Sequence, residues 1–183
     1  IRPPAEESVA MCTVLAAAGL ARYSPESRRT EADAAVARAR AWLDAAERPL
    51  HEDRVARAWG WKLLGGTDAE RDAARQALFD TQRADGGWSQ LPELASDAYA
   101  TGTALYALLE AGVSHDHHTV VRGSRFLLES QQPDGSWHVV TRAKPVQVFF
   151  DNGDPHGTDQ FVSMMATGWS AAVLARVALA AAK

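Results

Sequence analysis

The chain has 183 residues, of which 46% are hydrophobic and 23% charged, and its formal net charge is −4. This balance is typical of one soluble globular domain and argues against disorder. The charges are mixed and form no basic run, so the sequence lacks the electrostatic footprint of a nucleic-acid-binding protein. Cys12 is the single cysteine, which excludes an internal disulfide framework and a cysteine-rich zinc site.

Apolar residues recur at helical spacing, and almost nothing alternates at strand spacing. Four segments are apolar nearly all round, which is typical of helices buried on two sides, and three are amphipathic, which is typical of surface helices. In chain order the apolar segments are 8–21, 55–66, 97–112 and 159–179, and the amphipathic segments between them are 31–47, 69–80 and 118–130. This alternation predicts an all-α fold, a double layer of helical hairpins with apolar inner helices and amphipathic outer helices.

One heptapeptide, Gln-x-x-Asp-Gly-(Gly/Ser)-Trp, occurs twice, each time after an amphipathic segment. The positions shared by the two copies are Gln82, Asp85, Gly86 and Trp88 in the first copy and Gln131, Asp134, Gly135 and Trp137 in the second. Asp-Gly tolerates positive φ where a helix must stop, and the Asp carboxylate can accept hydrogen bonds from nearby backbone N–H groups. The Gln amide can satisfy free backbone groups at a neighbouring helix end, while the Trp ring excludes water. We predict that both copies are structural links between successive hairpins, although shared turn chemistry alone could also produce two copies.

These heptapeptides, together with inner segments such as AYATGTALYAL (98–108), resemble the QW motifs of squalene-hopene and oxidosqualene cyclases, in the terpenoid cyclase/protein prenyltransferase superfamily. The resemblance covers most of the chain from about residue 52 onward, and residues 141–169 are similar to a segment of uncharacterised bacterial cyclase-like domains. It implies an α/α toroid whose central cavity holds an isoprenoid chain. Three or four hairpins do not close such a ring, so we expect a partial toroid. It is either the carboxyl-terminal part of a ring that an N-terminal half completes, or a ring that closes by self-association.

The acid motif of these cyclases, Asp-x-Asp-Asp, precedes an inner helix that contains Thr. Laid on SDAYATGTALYAL (96–108) by the shared Thr and the terminal Tyr-Ala-Leu, it places the first Asp on Asp97, the protonating Asp on Tyr99 and the last on Ala100. A phenol with a pKa near ~10 poorly replaces an acid that must protonate an alkene. The resemblance therefore implies catalytic candidates at Asp97 and Tyr99 in a motif that is not retained. The zinc site of prenyltransferases is not expected, because Cys12 lies on another segment and is predicted to be a packed core thiol.

A polar loop, DNGDPHGTD (151–159), precedes the last apolar segment. Asp154 and His156 in this loop are candidates for catalysis or substrate binding at the cavity mouth. A metal site is a second interpretation, but the spacing matches no standard ligand pattern. The plainer interpretation is a Gly/Pro-rich connection in which Asp159 caps the next helix.

Three further groups of residues have competing interpretations. Aromatic residues on inner segments either bind a substrate through their π faces or simply fill the core; these are Trp59, Trp61, Tyr106, Phe161 and Trp169. Of the cluster SHDHH (114–118), only His115 and His118 share a helix face, and solvated histidines at a helix start capped by Ser114 or Asp116 are the favoured interpretation. KPVQVFF (144–150) has strand-like preference and is expected to form a short hairpin or a flap. We predict no metal and no cofactor.

Three classes of function stay open for a single domain over 1–183 with a non-helical insertion at about 138–158. The first is a terpenoid-cyclase-like domain, an isomerase or lyase if active, that binds an apolar isoprenoid and has peripheral membrane contact as a further option. The second is a noncatalytic toroid module that holds a protein partner. The third is a metal- or saccharide-handling enzyme on the same scaffold. An apolar cavity lined by Trp59, Tyr99 and Trp169 would favour the first class, a filled centre the second, and a polar acidic cleft the third.

Overall fold

A computed structural model of the chain describes residues 2–46, 50–144 and 150–182. Within these ranges the chain forms seven α-helices, two single-turn 3-10 helices and no strand. The helices are α1 (Val9–Tyr23), α2 (Arg29–Ala45), α3 (His51–Leu64), α4 (Asp68–Phe79), α5 (Ala98–Glu110), α6 (His118–Ser130) and α7 (Gln160–Ala181). The all-α prediction is confirmed.

Local chemistry explains where several helices begin and end. The Ser8 hydroxyl accepts a hydrogen bond from the Met11 amide (3.0 Å) at the start of α1, and the Asp97 carboxylate accepts one from the Ala100 amide (2.9 Å) at the start of α5. Helix α3 ends at Gly65, whose φ of 75° lies in the left-handed region that glycine adopts without strain. Residues 138–144 and 150–156 contain no helix, and a 3-10 helix spans Gly157–Asp159. Of the predicted hairpin or flap over 144–150, residues 145–149 lie outside the described ranges.

The apolar helices pack against one another in chain order: α1 contacts α3, α3 contacts α5, and α5 contacts α7. Each amphipathic helix packs beside the apolar helices that flank it in the sequence. Small residues let the apolar helices approach closely. A Cβ added at Gly102 of α5 would lie 2.9 Å from Trp169 Cβ of α7, and one at Gly60 of α3 would lie 2.7 Å from a Val14 methyl group of α1. We call α1, α3, α5 and α7 the inner helices, and α2, α4 and α6 the outer helices.

Both heptapeptides form the same turn. Gly86 and Gly135 have φ values of 89° and 87°. In the first copy, the Asp85 carboxylate accepts from the Gly87 amide (2.9 Å), and Gln82 Nε2 donates to Gly86 O (2.8 Å). In the second copy, the corresponding bonds are Ser136 N to Asp134 Oδ1 and Gln131 Nε2 to Gly135 O, both 2.9 Å. The roles that the sequence predicted for Asp and Gly are therefore found in both copies.

The two indoles hydrogen-bond backbone carbonyls in the last turns of the preceding outer helices. Trp88 Nε1 donates to Leu78 O (2.9 Å), and Trp137 Nε1 donates to Leu127 O (2.7 Å). Each Trp amide also donates to a threonine hydroxyl on the next inner helix, Thr101 or Thr167, at 3.0 Å in both cases. Both rings are buried. Each heptapeptide thus fixes one outer helix to the following inner helix.

Three local predictions were wrong. Cys12 is exposed rather than packed, because it lies on the side of α1 that has no described neighbour. Asp159 does occupy the N-cap position of α7, but the capping bond is absent, since its carboxylate accepts from the Thr141 amide (2.9 Å) and pairs with His138 (2.8 Å). At α6 the cap is neither Ser114 nor Asp116. His117 takes that position, and its Nδ1 accepts from the Thr119 amide.

Candidate functional site

A pocket of about 230 Å³ opens among the inner helices. All four of them contribute lining residues, together with Ala5, which precedes α1. The lining residues are Met11 and Leu15 from α1, Glu52, Val55 and Trp59 from α3, Tyr99, Thr103, Tyr106 and Ala107 from α5, and Met165 and Trp169 from α7. On α5, positions 99, 103 and 106 share one helix face by their spacing. The pocket wall is therefore mostly apolar, and its polar side chains lie near the amino-terminal ends of α3 and α5.

Three aromatic rings form a continuous part of the wall. The Trp59 and Tyr106 rings meet edge to face with centroids 5.8 Å apart, and the Tyr106 and Trp169 centroids are 4.9 Å apart. The Arg176 guanidinium lies 5.3 Å from the Tyr106 centroid and pairs with Glu110 at 2.6 Å. Such a wall suits an apolar chain, and its π faces also suit positive charge.

Glu52 is an ionisable residue within this apolar pocket. Its side chain is buried, and its Oε1 has no hydrogen-bond partner among the described residues. Burial raises the pKa of Glu52 to about 8, the nearby Tyr99 phenol opposes this shift, and the charges of Asp53, Asp97 and Glu7 raise the pKa further. At neutral pH the Glu52 carboxyl is therefore largely protonated and uncharged.

A polar network adjoins Glu52 on one side. Arg142, from the insertion, pairs with Glu7 (2.6 Å) and donates to Gln90 Oε1 (2.9 Å), and Gln90 Nε2 donates to Asp97 Oδ2 (3.1 Å). Burial raises the pKa of Asp97, and burial with the neighbouring Glu52 raises the pKa of Tyr99 far above its usual value. The Asp97 carboxylate thus has helix-capping and network partners, whereas Tyr99 is an even weaker acid than a free phenol.

His51 is a second buried ionisable residue at the start of α3. Its Nε2 lies 3.2 Å from Thr103 Oγ1, next to the pocket. Burial and the Arg54 charge lower the pKa of His51 to about 3. The imidazole is therefore neutral at physiological pH and adds no positive charge to the site.

The structure brings together some of the sequence-predicted site residues and separates others. Tyr99, Trp59, Tyr106 and Trp169 line the pocket, and Asp97 belongs to the adjoining network. The other candidates lie elsewhere. Trp61 is fully buried in the core, Phe161 is 48% exposed, and Asp154 and His156 line a separate polar cavity of about 310 Å³ beside the second heptapeptide.

The polar cavity has its own contacts. His156 Nε2 lies 2.7 Å from Ser136 Oγ, and the His156 ring stacks on that of His138 with centroids 4.7 Å apart. Among the described residues, no group of three or more His, Cys, Asp or Glu side chains is placed to hold a metal ion. The metal interpretations of 151–159 and 114–118 therefore gain no support from the geometry.

Sequence reasoning missed Glu52. One signal was present, because the run His-Glu-Asp (51–53) directly precedes an apolar inner segment, and three ionisable residues at the start of such a helix are unusual. The pairing of Glu52 with Tyr99 depends on how α3 packs on α5, which local periodicity does not specify. No protein-family model matches the sequence.

Proposed function

We propose that the chain is a terpenoid-cyclase-like domain that binds an apolar isoprenoid in the pocket among its inner helices. The observation that carries the proposal is the wall itself, where Trp59, Tyr106 and Trp169 form one aromatic surface next to the buried, uncharged Glu52. The volume of about 230 Å³ is below the ~300–1,000 Å³ of typical ligand sites, so it suits a short isoprenoid or one part of a longer chain.

The α/α toroid is the arrangement we propose for the helices. Its support is the order of contacts, in which inner helices pack side by side while outer helices alternate with them, together with the identical turns at the two heptapeptides. A turn that recurs in the same form between successive helical hairpins is typical of a repeat architecture.

Any cyclase-like reaction in this pocket would differ from the standard one. Tyr99 occupies the position that the resemblance assigns to the protonating acid, and its raised pKa makes it unsuitable. Asp97 caps α5 and binds Gln90. We therefore propose ligand binding as the function and leave turnover to be measured.

The experiment is a calorimetric titration with geraniol, an isoprenoid alcohol, and myrcene, a hydrocarbon of the same carbon number. We expect one saturable site per chain for each ligand. Trp169→Ala should weaken both by about tenfold or more, because it removes a large aromatic contact yet keeps the Cβ atom beside Gly102. Trp42→Ala, on outer helix α2 and away from the pocket, is the matched control and should bind like the wild type. Absence of saturable binding to the wild type would reject the proposal.

A second candidate function, self-association, is favoured by the exposed side of α7. Residues 100–102 and 166–168 share the sequence Ala-Thr-Gly, and Thr101 and Thr167 make equivalent bonds to the two heptapeptides. Gly102 is in tight contact with α7, whereas a Cβ at Gly168 would meet nothing within 4 Å. The face of α7 that carries Gly168 also exposes Phe161 and Met164.

We propose that this face packs against the exposed side of α1 in a second copy and so extends the ring. The exposed side of α1 likewise carries apolar residues, Val9, Leu15 and Leu20, and one charged residue, Arg22, in its last turn. By length and composition alone, residues Gly157–Ala181 would also suffice to cross a membrane, a test that core helices of soluble proteins pass too. An N-terminal half of a toroid would cover the same surface. The oligomeric state of the isolated chain distinguishes the two partners, because only a second copy would make the chain self-associate.

A further inference from the structure

The Glu52 carboxyl has an unused hydrogen-bonding group inside an otherwise apolar pocket. Glu52 lines the pocket, the residue is 4% exposed, and its Oε1 has no hydrogen-bond partner among the described residues. Leaving a buried polar group unpaired costs roughly 1–3 kcal/mol. A bound molecule that pairs with this group would remove that cost.

We propose that the pocket selects isoprenoids ending in a hydrogen-bond-accepting oxygen, such as a primary alcohol, and that the O–H group of the Glu52 carboxyl donates a hydrogen bond to that oxygen. The inference rests on the proposed function, since it names the class of isoprenoid that the same pocket takes. It makes Glu52 a specificity-determining residue.

The protonation state of the Glu52 carboxyl decides whether it donates a hydrogen bond to the ligand or only accepts one. A protonated carboxyl has one O–H donor, whereas a carboxylate only accepts. The Tyr99 phenol is close enough to the same carboxyl to lower its pKa, and it can act as a donor towards it. Glu52 Oε1 has no partner among the described residues, so an O–H on this oxygen is free to donate to an alcohol oxygen of the ligand.

The charges around Glu52 exclude an anionic headgroup. Glu7 before α1, Asp53 on α3 and Asp97 at the start of α5 all act on Glu52 as negative neighbours. Arg142 is the nearby cation, and it is paired with Glu7 at 2.6 Å. The Glu7–Arg142 pair is neutral as a whole, so a phosphate or carboxylate headgroup would meet the negative charges of Asp53 and Asp97, and a neutral oxygen is the better fit.

The test compares the binding preference, defined as the Kd for myrcene divided by the Kd for geraniol, across three forms of the protein. Glu52→Gln keeps a donor of similar size, and Glu52→Met removes the donor at similar length. We expect the preference to stay within about threefold of the wild type in Glu52→Gln and to fall about tenfold in Glu52→Met, the change expected for one hydrogen bond. The ratio cancels the general hydrophobic contribution, and retained myrcene binding shows that each variant still forms the pocket.

A pH series keeps the inference testable if Glu52→Met does not fold. With geranyl methyl ether in place of geraniol, because its oxygen accepts hydrogen bonds but cannot donate to a carboxylate, the wild-type preference should fall several-fold between pH 6 and pH 9.5, as the carboxyl loses its proton, while Glu52→Gln should stay constant. Equal preference in all forms at every pH would overturn the inference and leave isoprenoid binding intact. Tighter binding of geranylamine than geraniol to the wild type would overturn it too, because it would identify Glu52 as a partner for cations. Absence of binding by both myrcene and geraniol would reject the proposed function itself.

Discussion

Glu52 is the residue at which the stability of the fold and the proposed function oppose each other. Its burial near Glu7, Asp53 and Asp97 makes the ionised form unfavourable in the folded chain, and this is the cause of its raised pKa. A group with this environment weakens the fold at the pH at which it must lose its proton. Retaining an acid there is understandable if the carboxyl binds a ligand.

Glu52→Gln should therefore stabilise the protein in a pH-dependent way. The folded pKa of about 8 lies above the unfolded value of 4.5, so the wild type loses stability as pH rises from 4.5 to 8. We expect the variant to be more stable by about 2–4 kcal/mol at pH 8.5 and to match the wild type within about 1 kcal/mol near pH 4. Urea denaturation of both forms across this range measures the difference. A difference that does not change with pH would contradict the raised pKa.

His51 changes stability with pH in the opposite direction from Glu52, and its effect cancels when the wild type is compared with Glu52→Gln. Its folded pKa of about 3 lies below the ordinary 6.5, so the wild type loses stability as pH falls from 6.5 towards 3. This loss is common to the wild type and Glu52→Gln, so it cancels in the difference between them.

At the scale of elements, the two heptapeptides differ in whether their turn contacts a further helix. Gln82 Nε2 donates both to Gly86 O within the turn and to Thr119 O of α6 (2.9 Å), whereas Gln131 Nε2 donates only to Gly135 O among the described residues. A Cβ at Gly86 would lie 2.7 Å from Arg122 O of α6, but a Cβ at Gly135 would approach only Gln131. The first turn is covered by the next outer helix, and the second turn is open.

The two glutamines therefore form a matched pair of variants. Gln82→Ala should cost about 1–2 kcal/mol more in the free energy of unfolding than Gln131→Ala, since only Gln82 ties its turn to another helix. Chemical denaturation at a protein concentration that keeps the chain monomeric provides both values. Equal costs would mean that the contact to Thr119 contributes nothing measurable.

Most of the elements were predictable from sequence, because helix formation follows local periodicity. Each of the seven predicted segments overlaps one helix, with ends that differ by up to four residues, and the Asp-Gly turns follow from the conformational freedom of Gly86 and Gly135. The candidate site was predictable only in part. The aromatic residues on inner helices were identified as a set, but which of them line the pocket depends on the rotation of each helix, as the burial of Trp61 beside the half-buried Trp59 shows. Glu52 was missed because its role arises from contacts between helices.

At the scale of the whole molecule, the first and last inner helices, α1 and α7, each expose apolar side chains. Exposed apolar faces of this kind are typical of protein interfaces. If the exposed face of α7 packs on α1 of a second copy, the single cysteine, Cys12, lies close to the interface, since it is exposed on that side of α1.

Gly168→Leu separates self-association from folding. The added side chain points into open space in the single chain, and replacing glycine within a helix favours the helical state, so the monomer should be as stable as the wild type or more so. We expect the substitution to weaken association by at least tenfold, as measured by sedimentation velocity over a range of concentrations. Ala73→Leu, on an exposed position of outer helix α4, is the control and should associate like the wild type. A wild-type chain that stays monomeric at every concentration would rule out the second copy as the occupant.

The measurement that tests the central claim most directly is a crystal structure of the chain with geraniol. We expect ligand density among Trp59, Tyr106 and Trp169, with the alcohol oxygen about 2.7 Å from a carboxyl oxygen of Glu52, the usual length for such a hydrogen bond. Density in the polar cavity beside His156 with an empty aromatic pocket, or an aromatic pocket that stays empty at saturating geraniol, would contradict it.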